Sequence, residues 1–335
     1  MPNEVQPKIF SMDKNKKIYF ETSALNYISK GRSFADAIAT KGLQNFKGNR
    51  WYISSVTIWE ILLKQDDSNR EKIIHFAQHL FESDLLPSPE EIIVTYLKAG
   101  CPICENPYRF VSYTPMAEAW KDICSNKAKT LHFDKDELSK RVQIIRELSK
   151  HLHKLIRNQD FNIVNNSDCI ITEIGLQSII SNLSFVRQEA ELDNEEKSLY
   201  KISIFYILTI LCAEISLDSE TIRKFWKNVG IDSTYERLQY LLSNHEVLVH
   251  RGPFLEMALM TYYQTKNKFS RGVLFDSFHA VYLPYIDYLF TTDNHFRKLR
   301  QGVEYPNYLK IILMDEVVIT SQEREIQLPD SFLST

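Results

Sequence analysis

Short apolar and β-branched runs, each bounded by polar residues, mark the two ends of this sequence. Lys17-Ile18-Tyr19-Phe20 and Trp51-Tyr52-Ile53 lie near the start, and Tyr288-Leu289-Phe290-Thr291 and Leu309 to Leu313 near the end. Runs of that length and composition predict buried strands. Between about 69 and 265 the apolar positions recur at helical spacing instead. The predicted helices are Arg70 to Phe81, Pro89 to Lys98, Met116 to Ser125, Lys135 to Ile156, Ser167 to Leu183, Glu195 to Ile215, Ser219 to Val229, Ser233 to Leu242 and Pro253 to Tyr263. Pro89 suits a first helical turn, and Asp218-Ser219-Glu220 reads as a start. A shorter helical pattern, Phe34 to Phe46, precedes the second strand run. Residues 1 to about 15 read as a mobile leader, and Ser321 to Thr335 as a tail. The pattern predicts one discontinuous α/β domain from residues 16–65 and 268–318, a mainly α-helical insertion at 66–267, and a C-terminal tail at 319–335.

Four acids fall where such a domain presents its strand ends. Glu21 closes the first strand run and precedes a Thr22-Ser23 turn; Glu60 lies on the helix after the second run. Asp276 and His279 stand three apart in a helical segment with Val273, Leu274, Phe278, Val281 and Tyr282, so they share one face. Asp293 sits just past the third strand run, where an open α/β sheet has its ligand crevice. An acid in a helix as apolar as that of Asp276 is costly unless paired or metal-bound. Clustered carboxylates suit hard divalent cations such as Mg²⁺ or Mn²⁺, and two such ions can clamp both oxygens of an in-line phosphodiester displacement. Each acid also has a plainer reading. Thr57-Ile58-Trp59-Glu60 matches a capping box, Asp293 suits the N-cap of a helix at Asn294, and Glu21 is a surface charge at a strand end. His279 reads as a packing residue behind the acids.

Composition narrows the partners. The 335 residues are 44% hydrophobic and 12% aromatic, enough for a substantial core. A net charge of −3 gives no global attraction to nucleic acid, so any such surface is local. Lys266, Lys268 and Arg271 precede Asp276, Arg297, Lys298 and Arg300 follow Asp293, and Tyr262 and Tyr263 add aromatic surface. These residues suit a phosphate backbone or, equally, an ordinary solvated basic face. Five scattered cysteines fit a reducing cytosol, hence a cytoplasmic location. Cys101-Pro102-Ile103-Cys104, with Cys124 and His132, is too sparse a set for structural zinc. Ile202 to Ile215 contains Glu214 and is too short to span a bilayer, so it reads as a buried helix and no membrane partner is expected.

Ile18-Tyr19-Phe20-Glu21-Thr22-Ser23, Ile53-Ser54-Ser55-Val56 leading to Glu60, Asp276-Ser277-Phe278-His279-Ala280, and Leu289-Phe290-Thr291-Thr292-Asp293-Asn294-His295-Phe296 together resemble the PIN-domain nucleases. The resemblance covers roughly the first and last 65 residues, about one small domain. It departs at Glu21, where the family usually has Asp. It implies a PIN-like, Rossmann-like parallel sheet flanked by helices and interrupted by the helical insertion. It also implies a metal-dependent endoribonuclease, with Glu21, Glu60, Asp276 and Asp293 holding Mg²⁺ or Mn²⁺ and water activated at the metal hydrolysing RNA. Some such proteins are toxins, so a toxin or defence effector with a protein inhibitor or regulatory partner is one expectation, and a homo-oligomer another. DNA is an alternative substrate. The competing reading is an inactive PIN-like scaffold that binds RNA or protein.

Overall fold

A computed structural model describes residues 8–10, 16–29, 50–63, 67–98, 114–129, 131, 134–158, 194–242, 252–265, 273–302, 306–314, 318–319 and 326–328. The expected helices at Phe34 to Phe46 and Ser167 to Leu183 lie outside these residues. So do Cys101, Cys104, His132, Lys266, Lys268 and Arg271.

The strand runs at the two ends of the sequence meet in one parallel sheet. After β1 (Lys8–Phe10) come β2 (Lys17–Phe20), β3 (Arg50–Tyr52), β4 (Tyr288–Thr291) and β5 (Ile311–Leu313), in the spatial order β3-β2-β4-β5. Ile18 stands opposite Trp51 on one side and Tyr288 on the other. The protein is thus α/β, with an open, all-parallel four-stranded sheet and mostly helical content elsewhere, compatible with a Rossmann-like fold. Three aromatic rings stack across the sheet: Phe20 lies 5.1 Å from Trp51 and 5.0 Å from Phe290, and the ring of Phe81 meets Phe20 edge-on at 5.1 Å.

The chain divides into two compact units. The first comprises Met1–Leu86, Phe110–Phe133 and Leu283–Thr335. Besides the sheet it contains α1 (Thr22–Ser29), α2 (Ser55–Leu62), α3 (Asp67–Leu80) and α5 (Pro115–Cys124), together with α12 (Asn294–Gly302). Helix α1 packs on β4 and against α2 and α3, and α12 packs on β5. Helix α3 joins this unit because Ile73, Ile74, Ala77 and Leu80 form a buried stripe at helical spacing. The expected leader and tail need correction: Lys8–Phe10 pairs antiparallel with β7 (Ile326–Leu328), which also pairs with β6 (Val318–Ile319). The strand alternation in runs this short is too brief to stand out from loop sequence.

The second unit comprises Pro87–Arg109 and Asp134–Tyr282. Its described elements are helical: α4 (Pro89–Lys98), α6 (Lys135–Asn158), α7 (Asn194–Tyr206), α8 (Ser219–Val229), α9 (Thr234–Leu242), α10 (Pro253–Thr265) and α11 (Val273–Ala280). Helix α10 packs against α4, α6, α7 and α11. The apolar run at Ile202 to Ile215 is buried as expected, but its helix changes to one π turn at Ile207–Cys212. No helix among the described residues is long and apolar enough to cross a membrane. Asp276, on α11, belongs to the second unit.

Candidate functional site

The order β3-β2-β4-β5 fixes where the first unit can bind a ligand. The chain crosses from β2 to β3 on one side and later places β4 on the other, so the topological switch lies between β2 and β4. In open α/β sheets ligands bind outside the carboxyl ends of the strands at that point. Glu21 follows β2 directly, and Thr291-Thr292-Asp293 ends β4. The Glu21 N–H donates to Phe290 O at 3.1 Å, carrying the pairing one residue past the strand.

Glu21 is 4% exposed. Its Oε1 accepts the Ser23 N–H at 3.0 Å, and its carbonyl accepts the Ala24 N–H at 3.1 Å, so its side chain caps the N-terminus of α1. A helix N-terminus favours a negative group. Its Oε2 accepts hydrogen bonds from the hydroxyls of Ser23 and of Thr291, the latter at 3.0 Å. The plain reading of Glu21 as a surface charge is therefore wrong.

Glu60 is not half of a capping box. The N-cap of α2 is Ser54, whose hydroxyl accepts the Thr57 N–H, while the Thr57 hydroxyl donates to Phe20 O at 3.3 Å. Two turns on, the Glu60 carboxylate accepts the Thr22 hydroxyl. A carboxylate oxygen of Glu21 and one of Glu60 lie within 4.8 Å of each other.

Asp293 does cap α12: its Oδ1 accepts the His295 N–H at 2.6 Å and lies 3.3 Å from His295 Nδ1. Its own N–H donates to the Thr291 hydroxyl at 2.9 Å. Arg297 and Lys298 follow on α12, with Lys298 exposed. The hydroxyls of Ser23 and Thr291 thus hold the Glu21 carboxylate, that of Thr22 holds the Glu60 carboxylate, and that of Thr291 also accepts the Asp293 N–H. The sequence held a signal for these hydroxyls, since Thr22-Ser23 and Thr291-Thr292 stand beside the strand-end acids, but not for which carboxylate each serves.

In the second unit Asp276 is buried, and its Oδ2 accepts the Gln264 Nε2–H at 2.9 Å. The Ser277 hydroxyl reaches Gln264 Oε1 at 3.5 Å and lies 2.9 Å from that of Thr261, which lies 2.6 Å from the Tyr206 hydroxyl. Burial raises the Tyr206 pKa above its ordinary value of 10.0. His279 is fully buried.

The donor set of the first unit consists of carboxylate and hydroxyl oxygens, which fits a hard cation such as Mg²⁺ or Mn²⁺ better than a soft one. Compared with known proteins, the chain matches no family model, no curated protein and no solved structure. The PIN-domain resemblance rests on its motif residues alone.

Proposed function

We propose that the protein is a metal-dependent nuclease acting on RNA, with Glu21, Glu60 and Asp293 as its acids in the first unit. The observation that carries the proposal is the close approach of the Glu21 and Glu60 carboxylates at the sheet's topological switch point. Two carboxylates that near each other suit a divalent cation, whose charge would offset their repulsion. Such a cation supplies Lewis acidity towards phosphodiester oxygens.

The protein's own residues then have definite tasks. Glu21 and Glu60 hold the cation with oxygen ligands. Ser23, Thr22 and Thr291 fix the rotamers of the two glutamates. Asp293 anchors α12, whose Arg297 and Lys298 bind the phosphate backbone. Lys266, Lys268 and Arg271 join them by the sequence reading. Asp276 also enters on that reading, as an acid carried by the second unit. RNA as substrate is supported by the motif resemblance. A protein inhibitor or regulatory partner, self-association and a toxin or defence role rest on the same support.

One observation favours the competing reading of an inactive binding scaffold. The hydroxyls of Thr22, Ser23 and Thr291 already hydrogen-bond the two glutamates. Incubation of purified protein with total RNA or single-stranded DNA, in Mn²⁺, Mg²⁺ or EDTA, decides between them. Cleavage of RNA that EDTA and Glu21→Gln both abolish is the expected result. No cleavage with either ion, alongside retained RNA binding, overturns the nuclease reading.

A further inference from the structure

The two hydroxyls at Glu21 are held in a particular sense. The Ser23 hydroxyl accepts the Thr292 N–H at 2.8 Å, and the Thr291 hydroxyl accepts the Asp293 N–H at 2.9 Å. The two oxygens lie 3.2 Å apart. A hydroxyl that accepts from a backbone amide still has its one hydrogen to donate. Both donate to the same carboxylate oxygen, Glu21 Oε2. The backbone amides after β4 therefore set the direction of two hydroxyl hydrogens, and those hydrogens set the rotamer of the acid that follows β2. Thr291 also ties Glu21 to Asp293, because one hydroxyl bonds the carboxylate of the first and the amide of the second.

We propose that Thr291 is a positioning residue for the candidate metal centre, acting through Glu21 and with Ser23 as its partner. The proposal rests on the metal-nuclease reading. A glutamate side chain has one more rotatable bond than an aspartate, so it needs more restraint to present its oxygens in one place. Two convergent hydroxyls supply that restraint. Outer partners of metal-binding carboxylates typically affect metal affinity or activity about 10–100-fold.

The test compares wild type, Thr291→Val and Thr291→Ser, with Mn²⁺ affinity measured by calorimetry on the full chain and RNA cleavage resolved into kcat and KM. Valine keeps the shape and removes the hydroxyl; serine keeps the hydroxyl and removes the methyl group. Thr291→Val is expected to lose about 10–100-fold in Mn²⁺ affinity and in kcat with KM little changed. Thr291→Ser is expected to recover most of both. Wild-type behaviour in Thr291→Val overturns the proposal and leaves the nuclease reading standing. Equal losses in both variants also overturn it, because they assign the effect to the methyl group. Wild type that neither binds Mn²⁺ nor cleaves RNA overturns both readings.

Discussion

The phenolic oxygen of Tyr19 lies 2.7 Å from Oγ of Ser54, so the strand that precedes Glu21 is tied to the N-cap of the helix that carries Glu60. The Tyr19 ring is fully buried, and its hydroxyl also lies 3.3 Å from that of Thr57. These bonds tie the strand before Glu21 to the first turn of the helix that carries Glu60.

Tyr19→Phe is expected to cost about 1–2 kcal/mol in denaturant unfolding, since it removes a buried partner of Ser54 and Thr57. Burial, followed by the nearby charges of Glu21 and Glu60, holds the phenol above its ordinary value of 10.0. Above that pH the unfolded chain releases this proton and the folded chain retains it, so stability falls as pH rises. The alkaline decline should be shallower in Tyr19→Phe. Equal slopes in the two proteins would count against the assignment.

A second pH dependence belongs to the helical unit. Glu90 is fully buried; its Oε1 accepts the Leu217 and Asp218 N–H groups at 3.0 and 3.1 Å, and its Oε2 has no hydrogen-bond partner among the described residues. Burial first, and the charge of Asp218 second, raise its pKa well above the ordinary 4.5. The folded state thus keeps a proton that the unfolded state has lost. The stability this group contributes is full below about 4.5 and declines as pH rises towards and beyond neutrality. Unfolding free energies measured from pH 5 to 8 should fall in wild type by an amount on the order of 1–3 kcal/mol. In Glu90→Gln the same series should be nearly flat.

Two glycines with similar backbones should differ in cost. Gly230 ends α8 with φ +78°, its N–H donating to Trp226 O at 2.9 Å, and an added Cβ meets nothing within 4 Å. Gly230→Ala should cost about 1–2 kcal/mol from left-handed strain alone. Gly252 has φ +84°, and a Cβ there would lie 2.5 Å from the Tyr96 ring. Gly252→Ala should cost clearly more, and Tyr96→Ala in the same chain should recover part of the difference. Thermal melts of the three variants check this ordering.

Asp276→Asn should abolish RNA cleavage while leaving the helical content unchanged. Asparagine keeps the shape of the side chain, and its amide oxygen still accepts from Gln264 Nε2, which donates to Asp276 Oδ2 at 2.9 Å. Unchanged kcat in Asp276→Asn would remove this residue from the proposed chemistry. Gln264→Leu separates packing from charge: it should destabilise by about 1–3 kcal/mol, because a buried carboxylate loses a donor.

The strands were legible because Ile18, Phe20, Leu289 and Phe290 sit in short apolar runs with hard polar edges. Helices were legible for a similar reason: Pro89–Lys98 and Ser219–Val229 begin where Pro89 and Asp218 place their signals. Asp293 was legible as both cap and strand-end acid. The π turn at Ile207–Cys212 was not, because a run with Thr209 as its one polar residue has no polar face to betray its period. Nor was the role of Ser54, since Thr57 and Glu60 form an equally good cap signature one turn later. The hydroxyl network at Glu21 was beyond reach because Ser23 and Thr291 are 268 residues apart, and only the sheet brings them together.

That separation has a consequence during synthesis. Strand β2 pairs with β3 from the same end of the chain, so half of the sheet has its partners early. Its other edge waits for β4, some 270 residues later, and Thr291 reaches Glu21 only after β4 has left the ribosome. Until then β2 presents an open apolar edge that invites intermolecular pairing. The nascent chain therefore carries Glu21 and Glu60 long before it carries the strand that orders them, and a polypeptide interrupted anywhere before β4 has acids but no assembled centre.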